Sequence, residues 1–249
     1  MPAPVLHQAV VEQIGQAIVN GELSAGTAVI LDDVMQRTQS SRTVAREAVR
    51  VLETLGMVAM KRRIGNVVLS RSNWRVSDPR VIRWRLSGVH RTEELDQLMQ
   101  LRAGIEPIAA RLSACSAPAD VGPRMTELAE TMTRMGLLGQ GISEEFLAAD
   151  LEFHRLLVTS SGNDHIMAFS DTLAVILTER NRLGLLGDFP DPRSMAAHRA
   201  LGEAITLRSP SAAEAATRTM VDIVHAEVLA PDQDPGQDSG PEEPALLSG

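Results

Sequence analysis

Three residues have the types and spacing to hold one metal ion. Asp150 and His154 stand four positions apart in Asp150-Leu151-Glu152-Phe153-His154, so a helix would project both from one face, and His198 would reach them from another helix. A carboxylate with two imidazoles suits a divalent cation and leaves coordination positions open. The same acid and histidine spacing equally describes an ordinary ion pair on a helix surface. A metal-dependent hydrolase built on this trio is the enzymatic alternative, but it needs a positioned general base. The nearest acid, Glu152, lies two positions from Asp150 and faces away. A second constellation is cationic: Ser41-Arg42-Thr43, then Arg46-Glu47-Ala48, then Arg50, followed by Lys61-Arg62-Arg63 and Gly65. Arg42 and Arg46 fall one helical turn apart. Paired guanidiniums on one exposed face fit a DNA major groove, where each either grips a guanine edge or holds a phosphate.

An isolated arginine triplet is usually a solvated helix face, so the elements around it decide. Val10, Val11, Ile14, Ala17 and Ile18 recur at helical spacing over 8–20, and Gly21 stops the run. Gly26 marks a turn, and Asp32 or Asp33 is positioned to cap a short helix reaching about Arg37. Ser40 or Ser41 caps a third helix ending near Leu55, with Val44, Ala48, Val51 and Leu52 as its buried side and Gly56 as its stop. Two short apolar segments, 57–60 and 66–69, flank the basic run and suit an antiparallel hairpin. Helix, helix, helix, hairpin is the order of a winged helix-turn-helix. A connector follows, with Trp74 and Trp84 around the turn-like Ser77-Asp78-Pro79. Six helical stretches then span about 91–116, 122–138, 143–160, 164–186, 193–207 and 211–229, joined by links short enough for an antiparallel bundle. The expected fold is therefore mainly α, an N-terminal winged helix-turn-helix plus a C-terminal antiparallel helical bundle. The divisions are 1–70 for the winged helix, 71–89 for the linker and 90–230 for the bundle. A Pro-, Gly- and acid-rich tail at 231–249 is expected to be disordered.

Composition agrees with that reading. Of 249 residues 44% are hydrophobic, Tyr is absent, and only 4 Phe and 2 Trp occur, which disfavours strand-rich architectures. A single cysteine, Cys115, excludes an internal disulfide, and no stretch of eighteen apolar residues is present. Without a signal-like start, the expectation is a reduced, cytoplasmic protein with no membrane partner. The net charge of −8 is unevenly spread: residues 1–86 hold twelve Lys and Arg against seven Asp and Glu, or +5, and residues 87–249 carry −13. Only the first part favours a phosphate backbone.

Residues 8–69 resemble the winged-helix domain of the GntR family. The likeness runs through Gly21-Glu22-Leu23 with Gly26, the block Ser41-Arg42-Thr43-Val44-Ala45-Arg46-Glu47-Ala48, and Arg63-Ile64-Gly65-Asn66-Val67-Val68. It implies a regulator of double-stranded operator DNA, with Ser41, Arg42, Thr43, Arg46, Arg50, Arg62, Arg63 and Gly65 as candidate contacts. One departure stands out, since Asp33 occupies the place of an arginine that contacts DNA in the family.

Residues 90–229 resemble the FCD effector domain of the FadR-type subgroup, through Leu101-Arg102 with Glu106-Pro107, Asp150 to His154, Ser161-Gly162-Asn163, and His198 with Ala204-Ile205. That resemblance implies a divalent metal, commonly zinc or nickel, at Asp150, His154 and His198, a small organic-acid effector beside it, and a homodimer. A further family histidine is replaced by Ile223; His225 points elsewhere on its helix. Arg102 is the candidate to receive the effector's anionic group, or else a structural partner of Glu106. Ser194 offers either a hydroxyl to the same pocket or a helix cap. Asn73-Trp74, Asp78, Val81 and Trp84-Arg85-Leu86 resemble the linker of sugar-acid regulators in this subgroup, notably those of galactonate operons, which implies a sugar-acid effector, and the family resemblance implies repression of a neighbouring catabolic operon. A bundle serving only dimerisation is the remaining alternative.

Overall fold

The computed structural model describes residues 3–229, and the tail expected at 231–249 lies outside them. Helices α1 (Ala3–Val19), α2 (Leu31–Thr38) and α3 (Arg42–Thr54) precede strands β1 (Val58–Lys61) and β2 (Gly65–Val68). The strands pair antiparallel from Val58 opposite Val68 to Lys61 opposite Gly65. This is the winged helix-turn-helix expected, with three details changed. Neither Asp32 nor Asp33 caps α2: Ile30 is its N-cap, without a side-chain bond, and both acids lie in the first turn, where they suit the positive end of the helix dipole. Ser41, not Ser40, caps α3 by accepting from the Val44 N–H, a bond worth ~1 kcal/mol. Its buried side is Ala45, Ala48, Val49 and Leu52, while Val44 and Val51 are half-buried at the edge.

The bundle comprises α5 (Arg91–Ser116), α6 (Val121–Leu137), α7 (Glu144–Thr159), α8 (Asp164–Met167), α9 (Ser170–Arg182), α10 (Pro192–Thr206) and α11 (Pro210–Leu229). The expected 164–186 helix is broken at 168–169, where Phe169 turns into the core, and ends before Gly184 and Gly187, both at positive φ. α6 and α10 cross closely because Gly122 and Gly202 lack side chains. A Cβ on Gly202 would lie 2.8 Å from the Thr126 backbone nitrogen.

The connector is more ordered than its turn-like sequence implies. A 3-10 turn at Arg71–Asn73 leads to α4 (Pro79–Leu86), capped by Asp78 through the Arg80 N–H. This helix belongs to both hydrophobic cores. Val81 and Trp84 pack into the winged-helix core, and Ile82 and Leu86 into the bundle core. Trp84 lies flat over Gly15 of α1, where any Cβ would meet its ring at 2.5 Å, and its indole N–H donates to Glu12. Gln16 also donates to the Trp84 carbonyl at 2.9 Å. On the other side Thr172 of α9 donates to the Ser77 carbonyl at 3.4 Å, and Arg182 to the Ser87 hydroxyl at 3.2 Å. Among the described residues no helix is long and apolar enough to cross a membrane.

Candidate DNA-reading face and buried ligand cluster

α3 projects Arg42, Arg46 and Arg50 outward at successive turns, all exposed, with Thr43 exposed beside them. Arg42 makes a loose pair with Asp32 at 3.3 Å, its side chain 71% exposed. Arg50 pairs with Glu47 at 2.8 Å. Exposed pairs of this kind contribute about 0–1 kcal/mol, so both guanidiniums are readily available to a nucleic acid. Arg46 has no ion pair among the described residues. At the wing tip Arg62 and Arg63 are exposed; Arg63 has φ of +70° and Gly65 of +95°, which together turn the chain between the strands. Asp33 is exposed on the first turn of α2.

The second site is interior. Asp150 and His154 of α7 meet His198 of α10, all buried, with one ligand atom from each lying within 4.8 Å of the others. Asp150 Oδ1 is 3.4 Å from His154 Nε2 and 3.8 Å from His198 Nε2. Around this trio stand two buried guanidiniums. Arg102 of α5 pairs with Glu106 one turn away, and its Nη2 is 3.5 Å from His154 Nε2. Arg180 of α9 donates through Nη2 to Asp150 Oδ2 at 2.7 Å. Glu106 Oε2 lies 2.9 Å from His154 Nδ1, close enough for ion pairing but without hydrogen-bond alignment.

Electrostatics follow from this arrangement. Burial pushes both carboxyls up, but neighbouring cations outweigh it: Arg102 and His154 hold Glu106 at about 2, and Arg180 and His154 hold Asp150 well below the usual carboxylate range. Burial favours a neutral His154 ring, yet Glu106 and Asp150 raise its pKa above the ordinary value. For His198 burial dominates, reinforced by His154, and the pKa falls to about 4. Burial also lowers that of Arg180.

The donor set fits a divalent cation. His198 Nδ1 donates to the Ser194 carbonyl at 2.7 Å, which orients the ring and leaves Nε2 buried without a partner, facing Asp150. A histidine anchored through one nitrogen and neutral at the other is what a metal requires. Zinc, nickel or a similar ion would be held by Asp150 Oδ1, His154 Nε2 and His198 Nε2, and would supply a Lewis-acidic centre with positions open to an oxygen ligand.

Other site residues resolve differently. Arg102 makes the Glu106 pair and still leaves Nη1 unpartnered, so both alternatives for it retain support. Ser194 is not a cap: Asp191 caps α10, and the Ser194 hydroxyl is buried without a partner. Glu152 binds Arg124 at 2.9 and 3.0 Å, outside the trio, and cannot act on it as a base. His225 bonds Asp96 at 2.9 Å and Ile223 is half-buried. Arg180 was invisible in the sequence, because Glu179-Arg180-Asn181-Arg182 reads as a solvated helix end.

Residues 6–68 match the family described as bacterial regulatory proteins, gntR family, and residues 97–222, half of the chain, match the FCD domain. The chain is a GntR-family regulator. It is thus a DNA-binding transcription regulator with an FCD domain, and the family gives no support to the hydrolase alternative. The galactonate operon transcriptional repressor of Escherichia coli K12 is 25% identical over 214 residues, covering 85% of this chain and 92% of that protein. The uncharacterized HTH-type transcriptional regulator YieP of the same organism is 28% identical over 167 residues, 66% of this chain and 71% of YieP. The structure of Lar, which controls expression of the Listeria monocytogenes agr system, superposes with a TM-score of 0.52 at 16% identity. It covers 89% of this GntR-family chain and 95% of Lar, a likeness of fold.

Proposed function

We propose that this regulator is a dimeric repressor of a catabolic operon, released or engaged by a small carboxylate, with a sugar acid as the leading class, bound beside a divalent cation in the bundle. The observation that carries this reading is the buried trio of Asp150, His154 and His198 beside Arg102 and Ser194, with His198 Nε2, Arg102 Nη1 and Ser194 Oγ all lacking partners. Unpartnered buried polar atoms are costly in a protein interior, and a ligand with carboxylate and hydroxyl oxygens would satisfy them. The name of the galactonate repressor favours a sugar acid over other carboxylates. On the DNA side Arg42, Arg46 and Arg50 enter the major groove, Ser41 and Thr43 start the helix at the backbone, and Arg62, Arg63 and Gly65 place the wing. In a dimer, the spacing of two such units sets the half-site separation. The proposed division is winged helix 1–70, linker 71–89 and sensor 90–230.

Calorimetric titration with D-galactonate and related sugar acids, with and without Zn2+, tests the reading. It is paired with binding to a DNA fragment from beside the protein's own gene. Metal-dependent sugar-acid binding that changes DNA affinity is expected. Absence of binding by every acid, with DNA affinity unmoved, would leave the bundle as a dimerisation module.

A further inference from the structure

The trio sits between two arginines, and one of them has no role in the reading above. Arg180 is buried, bonds Asp150 through Nη2 at 2.7 Å, and leaves Nε without a partner. Arg102 leaves Nη1 free while its Nη2 comes within 3.5 Å of His154 Nε2, one of the three ligand atoms. With both histidines neutral, as metal ligation requires, charge in this cluster is balanced: the guanidiniums of Arg102 and Arg180 face the carboxylates of Glu106 and Asp150. The next acid towards Arg180, Glu227, is half-buried and accepts from the Asp191 backbone N–H at 3.3 Å. A dication bound by Asp150, His154 and His198 would therefore leave two uncompensated positive charges in a buried site. Such a state is strongly disfavoured away from water. An anion in the open coordination positions would restore the balance, and its oxygens would meet the free N–H groups of both arginines.

We propose that Arg180 is a charge gate: its guanidinium on Asp150 makes occupancy of the Asp150, His154 and His198 site by a divalent cation conditional on an accompanying carboxylate ligand. The inference rests on the metal-and-carboxylate reading above. Cation and carboxylate are then bound as a pair, each raising the affinity for the other by the same factor. Arg180 also ties this event to the linker. Its helix, α9, carries Thr172 and Arg182, whose side chains bond Ser77 and Ser87 at the two ends of α4. A shift of Arg180 towards an incoming anion would be felt along the helix shared by both cores.

Co2+ serves as the probe, its visible absorption bands reporting coordination, in wild type, Arg180→Gln and Arg180→Lys, each with and without acetate. Gln retains a donor for Asp150 without the charge; Lys retains the charge. Co2+ alone is expected to bind Arg180→Gln at least ten-fold more tightly than wild type, with Arg180→Lys as weak as wild type. Acetate is expected to raise the affinity of wild type at least ten-fold and that of Arg180→Gln much less, and the wild-type acetate comparison needs no variant to fold. Equal Co2+ affinities in all three proteins, indifferent to acetate, would overturn the gate and leave the metal site standing. No Co2+ bands in any protein, with or without acetate, would overturn both.

Discussion

The two ends of this regulator use arginine in opposite ways. On α3 the guanidiniums stand in water, the Arg42 side chain 71% exposed and loosely paired with an acid whose bond to it has little net worth. In the bundle Arg102 is fully buried and Arg180 nearly so, each paired with a carboxylate that it helps to keep ionised away from water. The exposed set costs the fold nothing and is available to a polyanion. The buried set is tied into the fold, and a ligand of that cluster would have to enter on its terms. Charge near a protein surface chooses partners, whereas charge inside it constrains which ligand combinations are stable.

The comparison breaks most visibly if one partner of a buried pair is removed. Glu106→Ala leaves Arg102 uncompensated and is expected to cost about 3–5 kcal/mol in urea unfolding. A loss under 1 kcal/mol would mean that the interior is far better solvated than its burial implies. The exposed set predicts the reverse pattern. Arg46→Ala should weaken operator binding by about 1–3 kcal/mol while leaving thermal stability unchanged. Fluorescence anisotropy over a range of salt would separate a base contact, lost at one operator position, from a phosphate contact that lowers the salt slope by about one. Unchanged DNA affinity would remove α3 as the reading helix. The smallest effect sharpens the contrast: Asp32→Asn frees Arg42 and should strengthen DNA binding by no more than about 1 kcal/mol, the ceiling for an exposed pair. A larger gain would show Asp32 to be a true competitor of the operator.

Much of this was legible from periodicity. α5 spans Arg91–Ser116, where the pattern placed it, and the hairpin with its basic tip forms around Lys61 to Gly65. Errors cluster where a single residue has two physically sound roles. Asp32 and Asp33 are good capping types, but the backbone enters α2 at Ile30, so they became first-turn acids. Ser194 is another good cap displaced by Asp191 three residues earlier, which freed its hydroxyl for the interior. α4 was read as a connector because its apolar residues do not share one face. Val81 and Trp84 serve one core while Ile82 and Leu86 serve the other, so no amphipathic stripe exists to be found.

By itself the sequence determined the order of elements in the winged helix, the stripe of Arg42, Arg46 and Arg50, and the candidate trio of Asp150, His154 and His198. Helical spacing and capping are local, and an exposed face needs nothing distant to define it. Only the tertiary structure decided what surrounds the trio. Arg102 and Arg180 arrive from α5 and α9. Whether a charge far along the chain ends in water or beside Asp150 depends on how those helices pack. Burial then turns that proximity into a strong interaction, and no local pattern in the chain encodes it.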